Sequence, residues 1–235
     1  MRAGRRRIHH IQLAEGVIER GLLVEINDIA RASSIRIKRV PRASLDREIS
    51  NHQGVVAIVD SFEYGSIEGM LELAVERGEP PWILLLDMIQ DPQNLGTLLR
   101  TAEAVGVHGV VIPERRSASV TPAVVSASSG ASEYMIIARG NVADAIERLK
   151  KANLWVAGLE NSQEASNYWD ADLRGPLGLV VGSEGSGMRR RVREACDFLV
   201  RIPMRGEIES LNASVAGAIA LYAILERRGF DVSNT

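Results

Sequence analysis

The chain has a single cysteine, Cys196, among its 235 residues. No intrachain disulfide can form from it, and no multi-cysteine metal site exists. The four histidines, His9, His10, His52 and His108, show no HxxxH spacing and have no cysteine partner, so the sequence offers no zinc-type ligand set and no metal is expected. There is no run of about 18 apolar residues, the length a membrane-spanning helix needs. The basic start, Met1-Arg2-Ala3-Gly4-Arg5-Arg6-Arg7, lacks the apolar centre of a secretion signal. These absences lead to the expectation of a cytoplasmic protein with no membrane partner.

Familiar catalytic signatures are missing as well. The pattern Gly182-x-x-Gly185-x-Gly187 is not the G-x-G-x-x-G of dinucleotide folds, and no acidic residue follows at the required distance. No G-K-[S/T] phosphate loop occurs. Ser183 sits in Gly-Ser-Glu-Gly rather than in G-x-S-x-G, and Cys196 falls in a helix-to-strand connection, where a small core role is expected. Glu184 inside the glycine loop would repel a pyrophosphate but would accept a positively charged sulfonium.

What is present is a large core and an uneven charge. Apolar residues make up 46% of the chain, and the net charge is −2. Residues 1–42 hold ten Arg and Lys against four Asp and Glu, a local balance of +6 that leaves −8 for the rest. A basic head on an acidic body points to a polyanion partner for the head, with an ordinary solvated face as the alternative.

The patterning divides the chain. Ile8–Leu13, Ile35–Val40 and Gly54–Val59 read as strands, and Val17–Ala32 as a helix with Ile18, Leu22, Ile26 and Ile29 on one face. This predicts a small α/β domain over 1–60. Residues 61–81 contain a short helical stretch around Met70–Val75 and end in Gly78-Glu79-Pro80-Pro81, which reads as a stiff linker. From Trp82 on, apolar strands alternate with helices: strands at Ile83–Leu86, Gly109–Ile112, Met135–Ile137, Leu154–Ala157, Leu177–Val181 and Phe198–Ile202, and a last helix at Ala213–Arg228. Continuous apolar strands in alternation with helices predict an α/β domain over 82–235, a parallel sheet with helices on both faces. In such sheets ligands bind outside the carboxyl ends of strands. Three loops leave such ends and are rich in Gly, Asn, Ser and Glu: Asp87–Gly96, Gly182–Met188 and Pro203–Asn212.

Three segments carry a family resemblance: Asp91-Pro92-Gln93-Asn94-Leu95-Gly96-Thr97-Leu98-Leu99-Arg100-Thr101-Ala102, Val180-Val181-Gly182-Ser183-Glu184-Gly185-Ser186-Gly187-Met188, and Ile202-Pro203-Met204 through Ser210-Leu211-Asn212-Ala213-Ser214-Val215-Ala216. In this order they resemble the SpoU (TrmH-type) RNA ribose 2′-O-methyltransferases of the SPOUT superfamily, most of all the bacterial 23S rRNA guanosine subgroup. The resemblance covers about residues 82–228. It implies a C-terminal trefoil knot, S-adenosyl-L-methionine as cofactor and a homodimer with the active site near the protomer interface. Residues 1–60, above all His52-Gln53-Gly54-Val55-Val56-Ala57, resemble the family's RNA substrate-binding domain, which is similar to kink-turn-binding ribosomal proteins. That domain ordinarily opens with a strand and helix ahead of the position of Ala3, so the head is expected to be N-terminally truncated.

Carried onto this sequence, the resemblance implies Asn94, Arg100, Glu184, Ser210 and Asn212 as catalytic residues. It implies Gly182, Ile202, Leu211, Met204 and Ser183 as the donor-binding set. Guanidinium resists deprotonation, so Arg100 is better suited to binding a phosphate or stabilising an alkoxide than to acting as a base. Asn94, Ser210 and Asn212 are equally suited to capping helices. Arg189, Arg190, Arg191 and Arg193 are candidates for phosphate contact, or simply an exposed helix start. The implied substrate is a guanosine of large-subunit rRNA; a tRNA substrate, or an inactive RNA-binding homologue, are the alternatives.

Overall fold

A computed structural model describes residues 1–49 and 52–229, so the last six residues of the expected 82–235 range and two positions of the head lie outside the described residues. The chain forms two compact units, Met1–Glu63 and Tyr64–Thr235.

The first unit is a three-stranded sheet of order β2-β1-β3. It comprises β1 (Ile8–Ala14), α1 (Leu22–Ala32), β2 (Arg36–Val40), α2 (Arg42–Glu48) and β3 (Val55–Val59). β1 pairs with β2 in parallel and with β3 antiparallel. Its core gathers Ile11, Leu13 and Ala30, with Ile26, Ile37 and Val55 packed against them. α1 begins at Leu22, five residues later than the periodicity suggests. Gly16 and Gly21 take positive φ (77° and 57°), and Gly21 stands at the helix start, so the chain turns there instead of continuing the helix. Ile18 is consequently 71% exposed. The turn into β3 is pinned by His52, whose Nδ1 accepts from Gly54 N (2.9 Å) while Nε2 lies 2.9 Å from Asp46 Oδ1.

The second unit holds a seven-stranded sheet of order β6-β5-β4-β9-β7-β10-β8, with every pairing parallel. Its elements are α3 (Ile67–Arg77), β4 (Trp82–Leu86), α4 (Pro92–Ala104), β5 (Gly109–Ile112), α5 (Pro122–Ala127), β6 (Ile136–Arg139), α6 (Val142–Lys151), β7 (Trp155–Leu159), β8 (Ser166–Asn167), β9 (Leu177–Val181), α7 (Arg190–Ala195), β10 (Phe198–Arg201) and α8 (Ala213–Arg227). All five residues of β4 and of β9 are buried, as expected for central strands covered on both faces. Because side chains alternate, Ile83, Leu85, Val111, Val156 and Val180 face one layer, packed with Ile67 and Met70 of α3, with α6 and with Val192 of α7. The other layer is α4 packed between α5 and α8. Each fully buried Leu or Ile contributes roughly 1.5–3 kcal/mol.

Segment 61–81 is therefore not a linker. Most of it is α3, capped by Ser66, whose side chain accepts from Gly69 N, and ended by Gly78 in the left-handed conformation. Ile67 and Met70 are core residues of the second unit. The unit boundary falls at Glu63, and the Pro80-Pro81 pair is only the short lead into β4.

Candidate active site

Because β4 and β9 pair, with Leu86 opposite Val181, the loops at their carboxyl ends lie side by side. β7 separates β10 from β9, so the chain leaving β10 must pass back across two strand ends to reach them. Residues 202–212 make that passage. Asn161, just after β7, ties it down by donating from Nδ2 to Glu209 O (2.9 Å). The passage ends at Asn212, the N-cap of α8, beside α4.

Three of the five expected catalytic residues meet there. Asn94 Nδ2 donates to Glu184 Oε1 (3.0 Å), and Asn94 Oδ1 accepts from Asn212 Nδ2 (3.0 Å). Asn212 Nδ2 also donates to Glu184 Oε1, which takes a third bond from Ala213 N (3.2 Å). A carboxylate at the α8 N-terminus is favoured by the free N–H groups and the helix dipole. The capping question resolves differently for the two asparagines. The α4 cap is Asp91, whose side chain accepts from Gln93 N with Pro92 in the first turn, which leaves the Asn94 amide to the cluster. Asn212 serves both ends: its Oδ1 accepts from Ser214 N (2.9 Å) and Val215 N (3.3 Å) while its Nδ2 faces Glu184.

The cluster borders a cavity of about 750 Å³, within the usual size range of ligand sites. All five expected donor-binding residues, Gly182, Ser183, Ile202, Met204 and Leu211, line it, as do Glu184 and Ser210. Its lining includes Glu160, Glu184, Glu207 and Glu209 and no Lys or Arg, so it favours a cationic ligand over a phosphate. Gly182 is required for a reason the sequence did not show. A Cβ there would stand 2.4 Å from the Gly187 carbonyl carbon and 2.5 Å from Met188 N. What presses on Gly182 is its own loop, closed by Ser183 N to Gly187 O (3.1 Å) and Gly187 N to Ser183 O (3.0 Å).

Arg100 is not part of this cluster. It is exposed on α4, six residues beyond Asn94, which is about 9 Å along the axis and about 120° around it. Its side chain makes no hydrogen bond or ion pair among the described residues. The arginine run after the second loop is already engaged. Arg190 pairs with Glu194 and Arg191 with Asp144 at exposed positions, where such pairs contribute little and yield easily. Arg193 is held by Glu160 (2.8 Å) and Glu164 (2.5 Å), and bonding to Glu160 raises its pKa further. Arg189 is bound to Asp87, so of the four only Arg190 and Arg191 remain suited to phosphate contact.

Two site features escaped sequence reading. Leu159–Asn161, at and just after the β7 carboxyl end, line the cavity; the strand-end rule applied to β7 would have found them. Asp87, wholly buried at the end of β4, accepts from Arg189 N (2.8 Å) and Nε (2.8 Å), with Nη2 at 2.6 Å. It joins the first loop to the end of the second, and no local pattern marks that pairing. Burial pushes the Cys196 thiol up to about 12, so it is no nucleophile near neutral pH.

The comparisons with known proteins agree with this geometry. The SpoU rRNA Methylase family model matches residues 81–222, and the model for RNA 2′-O ribose methyltransferase substrate binding matches residues 1–65. The chain is 41% identical over 225 residues to the putative TrmH family tRNA/rRNA methyltransferase YacO of Bacillus subtilis, covering 95% of this chain and 90% of that one. Its fold is similar to that of the SpoU methyltransferase AviRb of Streptomyces viridochromogenes, solved with AdoMet (TM-score 0.78, 23% identity, 97% of this chain and 85% of that one). It is also similar to the TrmH/SpoU tRNA modifying enzyme of A. aeolicus (TM-score 0.59, 27% identity), a match that covers 64% of this chain and 76% of the other. The chain belongs to the SpoU family of RNA 2′-O-ribose methyltransferases.

Proposed function

We propose that this enzyme transfers the methyl group of S-adenosylmethionine to a ribose 2′-hydroxyl of large-subunit ribosomal RNA, a guanosine by family resemblance. The observation that carries the chemistry is the Asn94–Glu184–Asn212 cluster at the edge of an acidic, cation-favouring cavity. The donor supplies an electrophilic methyl on a sulfonium. The 2′-oxygen forms the new C–O bond as the C–S bond breaks, the electron pair returns to sulfur to give a neutral thioether, and the hydroxyl proton leaves to solvent. Glu184 Oε1 is occupied by three donors, which fixes the carboxylate and leaves Oε2 to hydrogen-bond the incoming hydroxyl. Gly182, Ser183, Ile202, Met204 and Leu211 surround the donor, and Ser210 stands at the cavity edge to hold it or the ribose.

Arg100 supports a homodimer reading. It faces away from its own cluster, so the residue the family places in catalysis would serve the site of a second copy, binding phosphate or stabilising the alkoxide. Val215, Ile219 and Tyr222 form an exposed apolar stripe on α8, 47%, 37% and 55% exposed at helical spacing, a face suited to that second copy. The knotted C-terminus belongs to the same reading, and the return of residues 202–212 across β7 and β9 is its support.

An rRNA substrate is favoured over tRNA by the basic first unit, which matches the family model for RNA 2′-O ribose methyltransferase substrate binding. The intact cluster argues against an inactive homologue. A ribosomal-RNA substrate places the enzyme in the cytoplasm. The test is methyl transfer from radiolabelled S-adenosylmethionine to protein-free rRNA and to tRNA, followed by mapping of 2′-O-methyl positions. Label in tRNA alone, or in neither, overturns the reading.

A further inference from the structure

A second cavity, of about 300 Å³, adjoins the donor cavity and shares Ser183, Glu184, Ser186 and Ala213 with it. It is bounded by Met88, Gln90, Asp91, Asn94, Ser186 and the Glu184 side chain itself. Nothing in the donor site uses Met88 or Gln90.

The floor of this cavity is built rather than loose. Met88 holds a positive φ of 63°, a conformation that a non-glycine residue adopts only when its surroundings impose it. The segment is anchored on both sides of it. Asp87 N donates to Val181 O (2.8 Å), and the Asp87 carboxylate binds Arg189. On the other side, Ile89 O accepts from Ala118 N (2.8 Å) and Ser117 Oγ (3.2 Å). The half-buried Met88 side chain and the exposed Gln90 amide are thus presented from a fixed backbone.

The lining also says what would fit. It has two carboxylates, Asp91 and Glu184, and no cationic side chain, so a phosphate is repelled. It has an adaptable thioether suited to lie against an aromatic ring, and neutral hydrogen-bonding groups in Gln90 and Ser186. The volume is less than half that of the donor cavity. An uncharged nucleoside moiety meets all these conditions. RNA-modifying enzymes meet their targets as unstacked nucleotides turned out of the chain, read by stacking and by hydrogen bonds to the base edge.

We propose that this second cavity is the acceptor subsite: it takes the target nucleoside, with the base against Met88 and its polar edge on Gln90 and Ser186, and the ribose at Glu184, which lines both cavities. The proposal rests on the methyltransferase reading above. Phosphates on either side of the target nucleoside remain outside the cavity.

The experiment compares the full chain with Met88→Gly, Gln90→Ala and the double variant. Met88→Gly relieves the positive φ while removing the thioether, so loss of fold is not expected from it. Two quantities are measured: the Kd of S-adenosylmethionine by calorimetry, and kcat/KM for protein-free rRNA. Each single variant lowers kcat/KM at least tenfold, and the double variant lowers it further, while the donor Kd stays within twofold of wild type. A double variant with kcat/KM within twofold of an active wild type overturns the subsite and leaves the functional reading standing. A donor Kd that weakens in step with kcat/KM also overturns it, because the two cavities would then not be separate. A wild type that transfers no methyl to RNA overturns the functional reading, and the subsite with it.

Discussion

Asp87 offers the sharpest test of how the two loops after β4 and β9 are held together. Its carboxylate is completely buried and takes the Arg189 backbone N–H as well as the guanidinium. In Asp87→Asn one amide oxygen must serve donors that two charged oxygens served before, and the amide NH₂ is turned toward another N–H. A hydrogen bond to a charged group contributes about 1.5–3 kcal/mol. The Arg189 side chain is 45% exposed, so its share is discounted toward the surface value of about 0–1 kcal/mol. The buried N–H contact keeps the larger value, which gives a loss of about 2–3 kcal/mol in all. For a chain of this length about 2–4 °C of Tm accompanies each kcal/mol, so the transition should fall by about 5–10 °C. The assay is built in, because Trp82, Trp155 and Trp169 all lie in the second unit and the first has no tryptophan. Thermal unfolding followed by tryptophan fluorescence therefore reports the relevant unit alone. Arg189→Ala should be worse than Asp87→Asn, at about 3–5 kcal/mol, because it leaves a buried carboxylate without its cation. A fall of under 2 °C for Asp87→Asn, or the reverse order of the two variants, would show that this pair does not tie the loops.

Gly182→Ala should weaken S-adenosylmethionine binding more than tenfold by calorimetry, since a Cβ 2.4 Å from the Gly187 carbonyl carbon must open the loop; binding within twofold of wild type refutes this. Burial holds the His108 imidazole below its usual pKa against the opposing pull of Glu79, with Arg77 and Arg228 adding to the lowering. The unfolded chain takes up that proton near pH 6.5 and the folded one does not, so this contribution is complete above about pH 6.5 and is lost as the pH falls below it. Tm should accordingly drop between pH 7 and pH 5, and His108→Gln should flatten the slope. Arg100→Lys keeps the charge but loses the planar fork, so turnover should fall at every pH with no new alkaline limb, and mixed dimers of Arg100→Ala with Gly182→Ala chains should regain activity in one site. Removing residues 1–63 should leave donor binding intact and abolish most rRNA affinity, and the intact chain's affinity should fall with salt at a slope of about −0.7 to −0.9 per phosphate contact.

The place of that cut depends on what the sequence could and could not show. Apolar runs such as Trp82–Leu86 and Leu177–Val181 announce themselves because a strand buried on both faces needs no polar residue, and from them the parallel sheet and its three strand-end loops follow. α3 was harder. Its short helical stretch was visible, but Gly78-Glu79-Pro80-Pro81 drew attention to a linker, and burial of Met70 against the sheet is set by partners far along the chain. A cut placed after Gly78 instead removes Ile67 and Met70 from the core and confuses lost RNA binding with lost folding.

The candidate site divides along the same line. The loops that hold Gly182, Met204 and Leu211 follow from strand ends, but the donor-binding role of these residues and of Ile202 is what the resemblance implies. The convergence of Asn94, Glu184 and Asn212 came from resemblance alone, since separations of 90 and 28 residues leave no local trace. Charge misled for the same reason. Four arginines between positions 189 and 193 look like a phosphate-binding surface when only their own sign is counted, but the sequence does not show that Asp87, Asp144, Glu160, Glu164 and Glu194 answer them. The buried answer to Arg189 is the consequential one. It converts a cation that would have met RNA into the tie that places Met88 and Glu184, one on each loop, across the space where acceptor and donor must meet.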